Sequence, residues 1–166
     1  LHPFTSGPQL LALLALALVI QQRLPDSEDV FHSFWVSCLV GAGVAALSPW
    51  TFNPDAPLTV LAIVTGLLAA SARRLPLLPL LLLGVSCGFP SGYLCWPEPG
   101  AKGDMMFTAL GGIIGSVVII IVTAGVIEAI WQAAKWTWLP IAVRVAGSWI
   151  AAISVLLGAL LFRNLA

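Results

Sequence analysis

The sequence predicts an all-α fold, a polytopic transmembrane helical bundle of about six helices, and three observations carry that prediction. Hydrophobic residues make up 60% of the 166 and charged residues only 8%, whereas an ordinary soluble domain is roughly a quarter charged. Mean hydropathy is +1.03. The apolar residues fall into blocks close to the ~20 residues that cross a hydrocarbon core. A soluble fold of this length would expose apolar patches large enough to drive aggregation, so lipid is the solvent that fits. The whole chain, 1–166, reads as a single transmembrane domain. Its balanced charge, seven basic against seven acidic residues, leaves no basic surface for nucleic acid.

The blocks run in order as follows. The first helix is expected over 8–22, with Leu10–Ile20 unbroken apolar, and it stops in the polar stretch Gln21–Asp29, where Pro25 is a breaker. The second covers 30–47 and is stopped by Ser48-Pro49-Trp50. The third, 57–72, is short and is closed by Arg73-Arg74. Pro76 opens the fourth, 76–93, because proline fits a first turn whose N–H would have no partner anyway. The third and fourth helices are joined so tightly that they must run antiparallel. A Gly- and Pro-rich loop, Trp96–Gly103, separates them from the fifth helix, 105–131, for which Asp104 is a suitable N-cap. Pro140 opens the sixth, 140–162, anchored by Arg163.

Charge sets the expected orientation. Arg23, Arg73, Arg74 and Lys135 follow helices one, three and five, and Arg144 lies just inside helix six, whereas the other side carries Lys102 and Arg163. Basic residues favour the cytoplasmic side, so both termini are expected outside the cytoplasm. Tryptophan favours the membrane interface. Trp50 and Trp96 fall at the outer boundary, and Trp131, Trp136 and Trp138 at the inner one.

Inside the apolar blocks a few residues stand out. Gly111 and Gly115 form a G-x-x-x-G, which lets two helix backbones approach in lipid, either as packing within the bundle or as a dimer contact. Glu128 and Arg144 lie at similar depth on neighbouring helices. A lone charge in hydrocarbon is expensive, so a structural ion pair is expected, with a proton or ion relay as the sharper reading. His2 and His32, the two histidines, fall at opposite ends and cannot share a metal. Cys38 reads as a small packing residue. Cys87 and Cys95 lie toward the outer end of helix four and read as a disulfide, as free thiols for a soft metal, or as unpaired packing residues. No P-loop, dinucleotide glycine fingerprint, H-E-x-x-H or G-x-S-x-G occurs, so the chain is not expected to be an enzyme and shows no organic-cofactor motif.

Two segments resemble a known family. The opening His2-Pro3-Phe4-Thr5-Ser6-Gly7-Pro8-Gln9-Leu10-Leu11-Ala12 resembles the start of HupE/UreJ proteins, and Arg144-Val145-Ala146-Gly147-Ser148-Trp149-Ile150-Ala151-Ala152 resembles their terminal helix. The resemblance implies a small bacterial inner-membrane protein, linked to hydrogenase or urease maturation, that moves nickel or a related transition-metal ion. It also implies six helices, a removed signal peptide and an outside N-terminus. Where the family carries an acid–histidine ligand pair, this chain has Pro8 and Gln9, and where it has a His-Gly-rich stretch on helix four, this chain has Cys87–Gly92 without histidine. Read onto this sequence, the remaining metal-site candidates are His2, Gln9 and Cys87. Two functions follow as expectations: a metal-ion permease or accessory protein, or a non-catalytic structural subunit of a larger membrane complex built on a degenerate transporter scaffold. The partners expected are the lipid bilayer and, for the second function, other membrane subunits.

Overall fold

The structure is a computed structural model that describes residues 6–22, 27–47, 53–72, 75–97, 102–134 and 137–163. Among them are six α-helices and no strand: α1 (Gly7–Gln21), α2 (Ser27–Leu47), α3 (Asp55–Ser71), α4 (Leu77–Leu94), α5 (Lys102–Ala134) and α6 (Leu139–Arg163). α5 begins at Lys102, so Asp104 lies in its first turn rather than capping it. Four of the six are long and apolar enough to cross a membrane, with spans at Glu28–Leu47, Leu77–Leu94, Met105–Ala133 and Leu139–Leu161. The chain is a helical membrane protein.

Of the two shorter apolar helices, α1 and α3, α1 is the enclosed one. α1 has 15 residues, about 22 Å at 1.5 Å per residue, which is less than the ~30 Å of hydrocarbon. It sits in the middle of the bundle and packs on all five other helices, most extensively on α3 and α5. Nearly every residue from Ala12 to Gln21 is buried. A helix that is apolar on all sides needs burial all round, and here protein supplies it. By contrast, large side chains such as Phe107, Ile114, Ile121, Trp149 and Leu156 on α5 and α6 stand exposed, on faces turned to lipid.

Two tight pairs flank α1. α2 and α4 run parallel, since Gly84, Gly88 and Gly92 meet Val30, Phe34 and Cys38 in rising order. These glycines, four apart, form one stripe on α4. Gly41 answers from α2, against the backbone of Phe89 and Tyr93. With no side chains between them, the backbones come close enough for Ser37 Oγ to donate to the Val85 carbonyl at 2.8 Å, while Ser33 Oγ, which donates to the Val30 carbonyl of its own helix at 2.7 Å, lies 3.4 Å from that of Leu81. Each interhelical hydrogen bond is worth about 0.6 kcal/mol in a membrane, so close backbone packing dominates the contact. α3 and α6 run antiparallel, with Gly66 against the backbone of Gly147 and Ala151. Pro90 sits inside α4 and leaves the Ser86 carbonyl without its helical partner, yet the helix continues to Leu94.

The expected glycine contact is therefore displaced. Gly111 is exposed, and a side chain added there would meet nothing within 4 Å. Its neighbour Gly112 is buried against Cys95, and Gly115 is half-buried. Within the chain the close helix–helix glycines are those of α2–α4 and α3–α6, and Gly111 of the α5 G-x-x-x-G makes no such contact.

Direction alternates along the chain. The start of α1 meets the last third of α6, where Gly7 faces Leu157, and Ser6 Oγ donates to Asp55 at the start of α3. The beginning of α1 and the last turns of α6 thus share one end of the bundle. The connections that carry Arg23, Arg73, Arg74 and Lys135 in the sequence join helices at the opposite end. Those four residues, together with His2, Trp50 and Trp136, lie outside the described residues.

Candidate functional site

Gln9 lies in the first turn of α1 and is fully buried. Ser6 is the N-cap residue and Gln9 follows it by three, the spacing of a capping box, in which the Gln side chain returns to the N-cap N–H. No such side-chain cap forms here. The amide instead reaches across the bundle: Nε2 donates to Ser116 Oγ of α5 at 3.2 Å and to the Ser91 carbonyl of α4 at 3.5 Å, and lies 3.9 Å from Cys95 Sγ. Ser116 Oγ in turn donates to the Gly112 carbonyl at 3.0 Å.

Three elements place these groups. On α4, Cys87, Ser91 and Cys95 are four apart and buried, on the stripe beside the glycines. On α5, Gly112 and Ser116 are four apart, and the missing side chain of Gly112 leaves room for Cys95. Cys38 of α2 joins Cys95 in one buried cluster with Ala42 and Ile113.

Two polar atoms of this cluster are buried without a partner: Gln9 Oε1 and Ser91 Oγ. Leaving a buried donor or acceptor unpaired costs about 1–3 kcal/mol. The site can thus offer an acceptor oxygen and a hydroxyl to a small polar guest, beside a thiol.

Of the residues singled out from sequence, Gln9 and Cys95 meet here. Cys87 is one turn from Ser91 but is packed in the apolar core with Leu13, Leu16 and Leu80. His32 is at the other end, exposed, with Nδ1 2.7 Å from the Glu28 carbonyl. Ser91 and Ser116 were not singled out. Their signal was present as small polar residues repeating every fourth position with Cys or Gly in otherwise apolar helices.

Neither the Cys87–Cys95 disulfide, one of three readings of those cysteines, nor the expected Glu128–Arg144 ion pair is made. Cys87 and Cys95 are free thiols, as is Cys38. The helix runs unbroken between the first two, with the Cys95 N–H on the Ser91 carbonyl. Eight residues of helix separate them by about 12 Å, and a disulfide needs Cα atoms within ~7 Å. Non-reducing mass analysis of denatured protein blocked with maleimide should find three labelled cysteines, and in folded protein labelling of Cys87 should be slow. A Cys87–Cys95 crosslinked peptide would contradict this packing. Glu128 and Arg144 are also apart. Glu128 accepts from Gln132 Nε2 at 2.7 Å, its other oxygen has no partner, and Arg144 Nε donates to the Ala70 carbonyl at 3.0 Å. Arg144 therefore ties α6 to the last turns of α3, across a contact already narrow at Gly147.

Among the described residues no three His, Cys, Asp or Glu side chains converge as a metal site. The donors at Gln9 are an amide oxygen, two hydroxyls and a thiol. Imidazole and carboxylate, which suit nickel, are missing from them. The chain matches no protein-family model, no curated protein and no solved structure.

Proposed function

We propose that this chain is a HupE/UreJ-like membrane protein with a transport or accessory role, and that the polar cluster around Gln9 is where its cargo rests. The observation that supports this reading is the pair of unpartnered buried atoms, Gln9 Oε1 and Ser91 Oγ, in a bundle whose other described buried hydroxyls are bonded to helix carbonyls. A packed core gains nothing from two such atoms; a site that exchanges protein oxygens for a cargo's hydration shell does. The donors fit brief passage of a partly dehydrated metal ion on oxygen and sulfur better than lasting capture. On this reading the positive-inside rule puts both termini outside the cytoplasm, the resemblance makes the membrane a bacterial inner one, and the cluster would lie toward the outer face.

The test is uptake of divalent nickel, cobalt and copper(I) into proteoliposomes holding the purified chain. The expected result is accumulation of at least one ion above protein-free vesicles. Uptake equal to protein-free vesicles for all three overturns the transport reading.

One observation favours a second reading. The family's imidazole and carboxylate ligands are replaced here by Pro8 and Gln9, which suits a non-catalytic subunit that keeps the scaffold and has lost its cargo. That reading requires stable co-purification with other membrane chains in mild detergent, and an isolated monomer or homodimer counts against it.

A further inference from the structure

A second feature lies at the other end of the bundle and is independent of the Gln9 cluster. A cavity of about 240 Å³ opens between α1, α3, α4, α5 and α6. That is more than ten times the ~10–15 Å³ that a single water needs. Its wall is apolar, made by Val19, Leu68, Leu80, Ile127 and Val143, while Arg144, Gln21, Gln22 and Trp131 also line it. Arg144 is exposed, and its Nε bond to the Ala70 carbonyl, at 3.0 Å, holds the guanidinium at that place.

In the sequence, basic residues adjoin several of the lining positions. Arg23 directly follows Gln22, Arg73-Arg74 directly follow Ala72, and Lys135 comes four residues after Trp131; Gln22, Ala72 and Trp131 all line the cavity. Among the described residues the basic group at this cavity is Arg144. The acidic residues described there are Glu28 and Asp29, which stand on α2, the one helix that contributes nothing to the wall, and Glu128, whose Oε1 is engaged by Gln132. An apolar hollow beside a guanidinium, with a tryptophan of interfacial type, matches the layout of a phospholipid: acyl chain inward, phosphate at the rim.

We propose that this cavity is a binding site for an anionic phospholipid, with one acyl chain among Val19, Leu80 and Val143 and the headgroup phosphate on Arg144. Guanidinium is well suited to phosphate because it offers paired N–H donors, and each basic residue near an anionic lipid surface strengthens binding about five-fold.

The experiment is thermal unfolding of the purified full chain in mild detergent, titrated with dioleoyl phosphatidylglycerol, with dioleoyl phosphatidylcholine, or with inorganic phosphate. The expected result is a saturable rise in the midpoint with phosphatidylglycerol, a much smaller rise with phosphatidylcholine of the same acyl chains, and none with phosphate alone. Arg144→Gln should shift the phosphatidylglycerol titration to about five-fold higher lipid, and Arg144→Lys should restore most of the preference. Val143→Phe, which fills the hollow, should remove the saturable response while leaving the starting midpoint within a few degrees. If Val143→Phe fails to fold, Val143→Leu adds a single methylene to the same wall, and a weaker saturable response to phosphatidylglycerol is expected. Equal responses to the two lipids, a response to phosphate alone, or an Arg144→Gln protein that keeps the full preference would each overturn the proposal.

Discussion

Gly92→Ala is expected to lower the thermal midpoint of the purified protein in mild detergent by roughly 5–10 °C. The basis is steric: a Cβ at this position would overlap the Cys38 carbonyl oxygen and crowd its Cα at 2.8 Å. The obstacle is backbone, so no rotamer change relieves it, and α2 must move away from α4. Overpacking of this kind costs about 1–3 kcal/mol or more, and a chain of this size loses about 2–4 °C per kcal/mol. Separation would also lengthen the Ser37 bond to the Val85 carbonyl, now 2.8 Å. Gly111→Ala is the control. It adds the same methyl group to open space and gains up to ~1 kcal/mol of helix propensity, so its midpoint should hold or rise. Gly41→Ala, which meets the Phe89 carbonyl from the opposite helix, should repeat the Gly92 result. Equal behaviour of the Gly92 and Gly111 variants would mean that α2 and α4 do not pack through this stripe.

Gln9→Leu should separate function from fold. Leucine keeps much of the volume in the fully buried position, removes the unpartnered Oε1, and gives up contacts of 3.2 and 3.5 Å that are long for hydrogen bonds. Removing a polar group that was half unsatisfied is close to neutral, so the midpoint should change by less than ~3 °C, corresponding to less than ~1 kcal/mol. Cargo uptake, in contrast, should fall at least ten-fold, because the acceptor oxygen is gone. A variant that transports normally would remove Gln9 from any functional role. One that unfolds would make Gln9 a structural keystone of the α1–α4–α5 junction.

Much of the architecture was legible in the sequence, because lipid imposes it. With no water to satisfy backbone groups, an apolar block of this length must be a helix, and Pro, Gly and charged clusters mark where each block stops. The helix positions and the alternation that brings the start of α1 and the end of α6 to one side follow from those blocks. Gln9 was marked too, but only through the family resemblance, as a candidate ligand position. Its partners were not, since Ser91 and Ser116 are small residues on helices remote in sequence, and only packing shows which face of each turns inward.

Pairwise contacts were a decision of the tertiary structure. In lipid every apolar face has an acceptable neighbour, so hydropathy does not say which helix touches which. Gly84, Gly88 and Gly92 rather than Gly111 and Gly115 became the close contact because α2 lies on that side of α4. Glu128 and Arg144 do not pair: Glu128 accepts from Gln132, and Arg144 found the Ala70 carbonyl instead. Composition and block length determined that this chain is a helical bundle in a membrane. The three-dimensional packing alone decided that its shortest apolar helix, α1, is its centre, because a 15-residue helix enclosed by five others meets protein on every side where a span would meet lipid.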